Sequence, residues 1–307
     1  MTVTTTAPIA TPERAGSRAE WLQAALPKLV LAPSFAGILI FVYGFILFTF
    51  YLSLTPSRFM PVYEATGFDA YGRLFNQPNW WVALTNLGIF GSLYILICIA
   101  LGLLLAILID QKVRGEGILR PIYLYPMALS FIVTGTAWKW FLNPGLGLEK
   151  TINAWGWTSF KFGWLVDNDM AIYTVVIAGV WQASGFVMAM FLAGLRGVDG
   201  EILKAAQIDG ASTVNVYRRI VIPILRPVFL SAFIVLAHMA IKSYDLVIAL
   251  TGGGPGNATE LPSTFMYSYT FTRKQMAVGS ASAIIMLMTI SAVIVPYLYS
   301  ELREKSR

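Results

Sequence analysis

Hydrophobic residues along this chain are gathered into six long stretches, which shorter polar segments separate. A helix of about 20 apolar residues is long enough to cross a bilayer. The pattern therefore predicts an all-α polytopic membrane protein. Its six transmembrane helices are predicted at Leu29–Leu52, Val82–Ile109, Ile118–Leu142, Ala171–Leu195, Val221–Leu250 and Met276–Tyr299.

The polar segments divide the chain into parts. Residues 1–28 are expected to form a cytoplasmic tail, and residues 29–81 the first transmembrane helix with an outer loop. Residues 82–300 are expected to form the main transmembrane domain, which contains a polar loop at 196–222, and residues 301–307 a second cytoplasmic tail. The first apolar stretch is too long for a signal peptide, so we expect it to remain as an uncleaved span.

Composition agrees with this pattern, because only 12% of the residues are charged, against about 25% in soluble domains. The loops are too short to hold a soluble catalytic domain. The single cysteine, Cys98, lies in an apolar stretch and is expected to be a packing residue. One cysteine excludes an internal disulfide, and a cysteine metal cluster would lack ligands, so we expect no metal site. Because the loops are too short for a catalytic domain, we expect no catalytic residue either.

The positive charges indicate the orientation of the chain. With both termini inside, 14 of the 22 Lys and Arg residues fall on inside segments and six on outside loops, and two lie within spans. Cytoplasmic loops of membrane proteins carry this excess. The net charge of +6 is therefore explained by topology, and no nucleic-acid partner is expected.

The 196–222 loop contains the short polar stretch LKAAQIDGAS, which interrupts the apolar pattern. Asp199 is suited to cap a helix that starts near Glu201. Gly210 is suited to the left-handed position that ends a helix, and Ser212 can cap the next one. The loop is thus predicted to be helix, turn and helix along the membrane surface. It either contacts a partner or is an interfacial amphipathic helix without one.

The sequence AAQIDGAS, followed by IVIP ending at Pro223, resembles the signature loop of permease subunits of ABC importers, which depend on a binding protein. The resemblance extends from about Leu84 to the C-terminus. The sequence LTGGGPGNAT after the fifth apolar stretch is typical of the carbohydrate-importing branch, which includes maltose-type and glycerol-phosphate-type permeases. Glucose and mannose permeases are the nearest likeness. The resemblance implies the type I ABC importer permease fold.

This resemblance implies that the loop forms a coupling helix, which docks into a cleft on a cytoplasmic ATPase. The implied ATPase-coupling residues are Glu201, Lys204, Ala205, Ala206, Asp209, Gly210 and Ala211. Lys204 stands where the family usually has glutamate, so an ionic contact at this position is not implied. Glu201, one turn earlier, is a candidate to replace it.

The resemblance also implies partners. These are a second permease subunit, two cytoplasmic ATP-binding subunits, an extracytoplasmic sugar-binding protein and the lipid bilayer of a bacterial or archaeal cytoplasmic membrane. The sequence lacks the phosphate-binding pattern G-x-x-x-x-G-K-[ST], so ATP and magnesium are expected on the partner subunits. The segment Gly252–Gly256 has no following Lys-Ser/Thr pair and is predicted to be a turn.

Ionisable residues in the fifth apolar stretch form a second candidate site. His238, Lys242 and Asp245 are spaced by four and three residues, which places them on one face of a helix. Such groups usually face a wet cavity or a partner. Together with Ser243 and Tyr244 they are candidates to line a sugar cavity. They are also candidates for a proton relay in a secondary transporter, or for a structural Lys–Asp ion pair beside a packing histidine.

The fourth apolar stretch offers a flat ring next to polar groups, at Trp181, Gln182 and Ser184. Gly185 permits a close approach or a kink. These residues either stack against and hydrogen-bond a sugar, or pack helices through small side chains. The expected function is a permease subunit that forms half of the path for a sugar, of which a monosaccharide such as glucose or mannose is the candidate. The alternative is a proton-coupled secondary transporter.

Overall fold

The computed structural model describes residues 17–111 and 115–305, and the regular elements in these two ranges are helical. The predicted tails therefore lie partly outside the described residues, as do Lys112 and Arg114. The α-helices are α1 Ser17–Ile38, α2 Phe45–Ser53, α3 Asp69–Phe75, α4 Pro78–Asp110, α5 Glu116–Ala128, α6 Phe131–Phe141, α7 Leu148–Ala154, α8 Ala171–Arg196, α9 Gly200–Ile208, α10 Thr213–Val216, α11 Ile222–Ile224, α12 Arg226–Ile241, α13 Asp245–Leu250, α14 Pro262–Tyr267 and α15 Met276–Lys305.

Four of the predicted transmembrane helices occur as single long helical segments. They are Leu26–Ser53, Pro78–Asp110, Ala171–Arg196 and Met276–Pro296, and each is long and apolar enough to cross a membrane. The ends differ from the predicted ones by a few residues, because the helices continue into their polar flanks. The helix α4, for example, starts at Pro78, a residue that is favoured in the first turn because its missing N–H has no helical partner there.

The third predicted helix is not continuous, so the prediction of a single helix over 118–142 is wrong. The helices α5 and α6 meet at 99°. Leu129 and Ser130 between them have extended backbone angles, which end the α-helical hydrogen bonding. The Ser130 hydroxyl accepts a hydrogen bond from the Val133 amide at 3.3 Å and so caps the start of α6.

The fifth predicted helix is broken twice, so the prediction of one helix over 221–250 is also wrong. The segment Thr213–Ile224 meets α12 at a 65° bend. Pro227, near the start of α12, has no amide hydrogen and so cannot continue the hydrogen bonding of the preceding turn. The second break lies at residues 242–244, between α12 and α13. Counting each bent pair as one span gives six spans, the predicted number.

The chain divides into two compact units, residues 1–50 and residues 51–307. In the first unit, α1 is followed by a π-helical turn at Leu39–Gly44 and then by most of α2. None of the apolar window in Leu26–Ser53 is buried inside the chain. Exposed rings and aliphatic side chains on every face of a helix fit a lipid environment.

The core of the second unit lies between α4 and α8. Gly102 of α4 lies against α8, where an added Cβ would meet Val187 Cγ1 at 2.6 Å. Phe90 and Tyr94 stack with ring centroids 5.2 Å apart and are buried in the same core. Only a glycine at position 102 allows this separation, so the two long helices are held at a fixed distance.

A second, smaller core lies where α3, α4, α14 and α15 meet. Trp80 and Phe265 form an edge-to-face pair at 5.2 Å, and Phe265 stacks on Tyr269 at 4.0 Å. All three rings are buried. This aromatic cluster anchors the chain that follows the Gly-rich loop at residues 251–261.

Candidate functional site

The helix α9 in the 196–222 loop starts as the sequence predicts. The Asp199 carboxylate accepts a hydrogen bond from the Glu201 amide at 2.9 Å. A side-chain oxygen at this position satisfies one of the amide groups that a helix start leaves unpaired. The charge also interacts favourably with the positive end of the helix dipole.

The end of α9 is a Schellman motif, formed at the predicted Asp-Gly turn. Gly210 has a φ of +74°. Its amide donates to the Gln207 carbonyl at 3.1 Å, and the Ala211 amide donates to the Ala206 carbonyl at 3.0 Å. These two bonds are the ones that close this motif. Ser212 occupies the cap position of α10, but its hydroxyl forms no capping hydrogen bond.

The predicted coupling residues lie on different faces of α9. Exposed members are Glu201, Lys204, Ala205, Asp209 and Gly210, whereas Ala211 is half-buried. Ala206 is only 7% exposed and packs into the core of the second unit. Its small side chain therefore seats α9 on its own chain rather than lying on the exposed face.

The most exposed apolar residue of this loop is not among the residues predicted from the sequence to contact a partner. Ile208 is 86% exposed, immediately before the Asp-Gly turn. Its spacing from Ala205 fits helix packing as well as contact with a partner, so the pattern alone does not distinguish the two. Single exposed apolar residues are common on protein surfaces, and Ile208 adds an apolar side chain to the exposed face of α9.

An ion cluster connects the end of α8 to the start of α5. The Glu116 carboxylate Oε1 accepts from Arg120 Nη2 and from Arg196 Nη2, both at 2.6 Å. Arg196 Nε also lies 3.8 Å from the Asp110 carboxylate at the end of α4. The Glu116–Arg120 spacing of four residues is visible in the sequence, but its partner Arg196 is 80 residues away. This cluster lies beside the 196–222 loop.

Gln182 and Gly185 hold α8 against the sharp break between α5 and α6. The Gln182 side-chain amide donates to the Leu129 carbonyl at 2.9 Å, and the residue is only 3% exposed. At Gly185 an added Cβ would collide with the Tyr123 carbonyl and lie 2.6 Å from its carbon. The close approach expected at Gly185 is therefore present, and Gln182 supports the broken span. Ser184, between them, is half-buried.

Trp181 contributes to an apolar groove that we call the tryptophan groove. It has a volume of 430 Å³ and is lined by Ala137, Trp138, Phe141 and Trp181. The two indole rings pack edge to face with centroids 5.9 Å apart. The sequence indicates Trp181 alone, because the contact with Trp138 depends on the bend between α5 and α6.

The ionisable residues of the fifth span surround the break between α12 and α13. A cavity of 100 Å³, the break cavity, lies here and is lined by Phe131, His238, Met239, Lys242, Ser243, Tyr244, Asp245 and Leu246. The helix is interrupted at 242–244, so these residues share the cavity without lying on one continuous helical face.

The expected Lys–Asp ion pair is not formed. Among the described residues no ion pair within 4 Å joins Lys242 to Asp245. The Lys242 backbone amide donates to the His238 carbonyl at 3.2 Å, which is the last α-helical hydrogen bond before the break. The helix break separates the ammonium and carboxylate groups that an unbroken helix would bring together. Both charged groups are exposed at this point of the chain.

The Gly-rich loop at 251–261 is an ordered turn, as predicted. Gly252, Gly253 and Gly256 have positive φ angles, which glycine adopts without steric cost. The Asn86 side-chain amide donates to the Glu260 carbonyl at 3.0 Å and so fastens the loop to α4. Burial raises the pKa of the Glu260 carboxyl above its usual range, and the charge of Arg273 partly opposes this.

Comparison with known proteins assigns the family and the fold. Residues 98–304 match the family described as binding-protein-dependent transport system inner membrane component, which covers more than half of the chain. The chain belongs to this family. The permease is thus a transport subunit, and the resemblance read from AAQIDGAS is confirmed.

Three relatives align over nearly the whole permease. A probable ABC transporter permease protein of Pyrococcus horikoshii is 41% identical, over 91% of this chain and 96% of its own. The xylose/arabinose import permease protein of Haloferax volcanii is 33% identical, over 86% of this chain and 84% of its own. The trehalose/maltose transport system permease protein of Thermococcus litoralis is 29% identical, over 92% of this chain and 95% of its own.

A solved structure has the same fold. A bacterial ABC transporter that imports the acidic polysaccharide alginate matches with a TM-score of 0.79 at 18% identity, over 92% of this chain and 98% of that chain. The predicted type I ABC importer permease fold is confirmed. Because the family is one of binding-protein-dependent transport, the proton-coupled alternative is not retained.

Proposed function

We propose that this permease forms half of the membrane path of a sugar importer, and that its substrate is a monosaccharide such as glucose or mannose. The relatives named for xylose and arabinose, and for trehalose and maltose, support a sugar as the substrate class. The choice of a monosaccharide rests on the resemblance to glucose and mannose permeases described above.

The single observation that supports the proposal most directly is that this chain presents both a cavity with polar side chains and a groove with aromatic rings. The break cavity presents Lys242, Ser243, Tyr244 and Asp245, which offer hydrogen-bond donors and acceptors. The tryptophan groove presents flat apolar rings. Sugars have polar hydroxyl groups around apolar ring faces, so both kinds of surface are needed. Pockets for small molecules commonly combine apolar walls with a few placed polar groups.

The exposed face of α9 is proposed to dock into a cytoplasmic ATPase subunit. Ile208 would enter an apolar cleft, and Glu201 and Lys204 would lie at its rim. Burial of a fully exposed isoleucine side chain contributes about 1.5–3 kcal/mol. Two ATP-binding subunits, a second permease subunit and an extracytoplasmic sugar-binding protein complete the proposed complex. Both termini of the permease lie in the cytoplasm in this arrangement, in a bacterial or archaeal cytoplasmic membrane.

The proposed mechanism converts movement of the ATPase into opening of the path. ATP binding closes the ATPase pair and pulls α9, which is joined directly to α8. The Glu116–Arg196 contact passes this displacement to α5 and then to the bend that supports the tryptophan groove. The path opens outward to receive sugar from the binding protein, and ATP hydrolysis returns it to the inward state.

The proposal is tested with the complex purified from native membranes through a tag on the permease. Mass spectrometry should identify an ATPase with a phosphate-binding loop and a second permease. The substitution Ile208→Asp should reduce ATPase recovery at least tenfold, because a charge would then enter an apolar cleft. Leu146→Asp is the matched control, since Leu146 is 76% exposed in a different loop.

Substrate class is tested in proteoliposomes that contain this complex and its binding protein. We expect ATP-dependent uptake of labelled glucose or mannose to exceed uptake of xylose, maltose and trehalose. Preferred uptake of a disaccharide would contradict the monosaccharide assignment alone. A permease recovered intact but without any ATPase would contradict the proposed complex.

A further inference from the structure

The Gly-rich loop lines a further pocket, which we call the loop pocket. Its volume is 370 Å³, and its lining includes Tyr244, Asn257, Glu260, Tyr267 and Arg273. Tyr244 also lines the break cavity, so this one ring forms part of the wall of both. A volume of this size is at the lower end of the range found for small-molecule sites, about 300–1,000 Å³.

Glu260 in this pocket lacks a partner for its charge. The residue is only 7% exposed, and its carboxylate Oε2 is buried without a hydrogen-bond partner among the described residues. Leaving a buried polar group unpaired destabilises a protein by an amount comparable to a lost hydrogen bond. Glu260 also lines the pocket, so a ligand that donates a hydrogen bond to its carboxylate would supply a partner that the described residues do not.

Arg273 provides the opposite charge on the same pocket. Its Nη1 donates to the Tyr269 hydroxyl at 2.9 Å, and its guanidinium carbon lies 4.5 Å from the centre of that ring. These contacts fix the guanidinium in place. It acts on Glu260 through space, but no ion pair within 4 Å joins the two in the described part of the chain. Both residues line the same pocket, so a ligand held there can contact the two side chains.

The charges decide the class of ligand. A cation would be repelled by Arg273, and an anion by Glu260. A neutral hydroxyl group fits both, because it donates to the carboxylate and accepts from the guanidinium. The rings of Tyr244 and Tyr267, with centroids 4.9 Å apart, supply an aromatic surface beside these groups. Aromatic rings with a polar edge suit a ligand that is apolar on one side and polar on the other.

We propose that the loop pocket is a second sugar subsite, in which a saccharide hydroxyl bridges Glu260 and Arg273 before the sugar passes Tyr244 into the break cavity. This inference rests on the proposed function, because it takes a sugar as the transported molecule. It adds a site that is separate from the break cavity and holds the sugar by a carboxylate and a guanidinium.

The test measures sugar binding at the pocket without using transport. Thr272, which also lines the pocket, is replaced by cysteine in the full complex. Its labelling by a thiol reagent is followed with increasing glucose or mannose. The native Cys98 is buried and contributes little background. Thr158→Cys, at an exposed position in another loop, is the control for labelling.

We expect either sugar to protect Thr272→Cys and not Thr158→Cys. Adding Glu260→Gln should raise the concentration for half-protection about tenfold or more, since a hydrogen bond to a charged group is lost. Glu64 is a carboxylate exposed in another loop, and Glu64→Gln should leave the concentration for half-protection unchanged. Tyr267→Ala is a second variant at an exposed ring, and it should weaken protection while Glu260 is kept.

Two results overturn the inference. Equal protection in Glu260→Gln and in its parent excludes the bridging role. Absence of protection, with sugar uptake by the complex retained, excludes the subsite and leaves the proposed function in place. Absence of protection together with absence of uptake for every sugar tested overturns the proposed function as well.

Discussion

The left-handed turn at Gly210 allows a sharp test of how α9 is used. Gly210 has a φ of +74°, and an added Cβ there would meet no atom within 4 Å. Gly210→Ala therefore changes backbone strain alone, and an alanine in this conformation costs about 1–2 kcal/mol. Gly200, at the other end of the same helix, also has open space but no positive φ. Gly200→Ala is thus a matched control.

The expected effect is on docking of the ATPase. If the turn must be intact for α9 to dock, a cost of about 1–2 kcal/mol lowers affinity roughly 5–30-fold, since about 1.4 kcal/mol is a factor of ten. Gly210→Asn should fall between alanine and wild type, because asparagine adopts left-handed angles more readily. Affinity is measured by titrating purified ATPase onto the permease in nanodiscs. Equal affinities for Gly210→Ala and Gly200→Ala would refute the reasoning.

Three further predictions concern other parts of the permease. Gly185→Ala should lower the thermal unfolding temperature of the permease by several degrees, because its Cβ collides with the Tyr123 carbonyl, whereas Gly88→Ala, with open space, should not. Burial raises the pKa of the Glu260 carboxyl, so its contribution to stability is complete at acid pH and is lost as pH rises through the folded-state pKa. Glu260→Gln should remove this part of the pH dependence of chemical denaturation, and an unchanged slope would contradict it. Trp181→Ala should raise the KM for sugar uptake about two- to tenfold through loss of the aromatic surface, and an unchanged KM would exclude the tryptophan groove from the path.

The long helices are predictable from sequence, because twenty apolar residues in a row have few alternatives to a transmembrane helix. The bends are not. Leu129 and Ser130 carry no residue type that demands a break, and the 99° angle depends on how α5 packs against Gly185 of α8. The break at 242–244 follows no proline or glycine within it. Tertiary packing thus overrides a helical pattern at both places.

The 196–222 loop is the candidate site whose structure is most predictable from the sequence, because its helix caps are local. Asp199 and Gly210 act through neighbours within five residues in sequence. By contrast, Trp138 with Trp181 and Glu116 with Arg196 meet only after distant helices pack together. The sequence predicts that His238, Lys242 and Asp245 lie together on one face of a helix. They do line one cavity, but the helix that was expected to align them is broken.

The shared carboxylate of Glu116 has a consequence for the stiffness of the molecule. Arg196 ends the long helix α8, and Arg120 lies in α5, the first part of the broken span. The Glu116 side chain therefore links two helices that are not consecutive in the chain. Ion pairs that are partly hydrated contribute little to stability. The junction therefore adds a weak link at the ends of two helices that the close packing of Gly185 against Tyr123 already holds together. Added salt screens the ion pairs, so ionic strength weakens this link and leaves the packed contact between the helices intact.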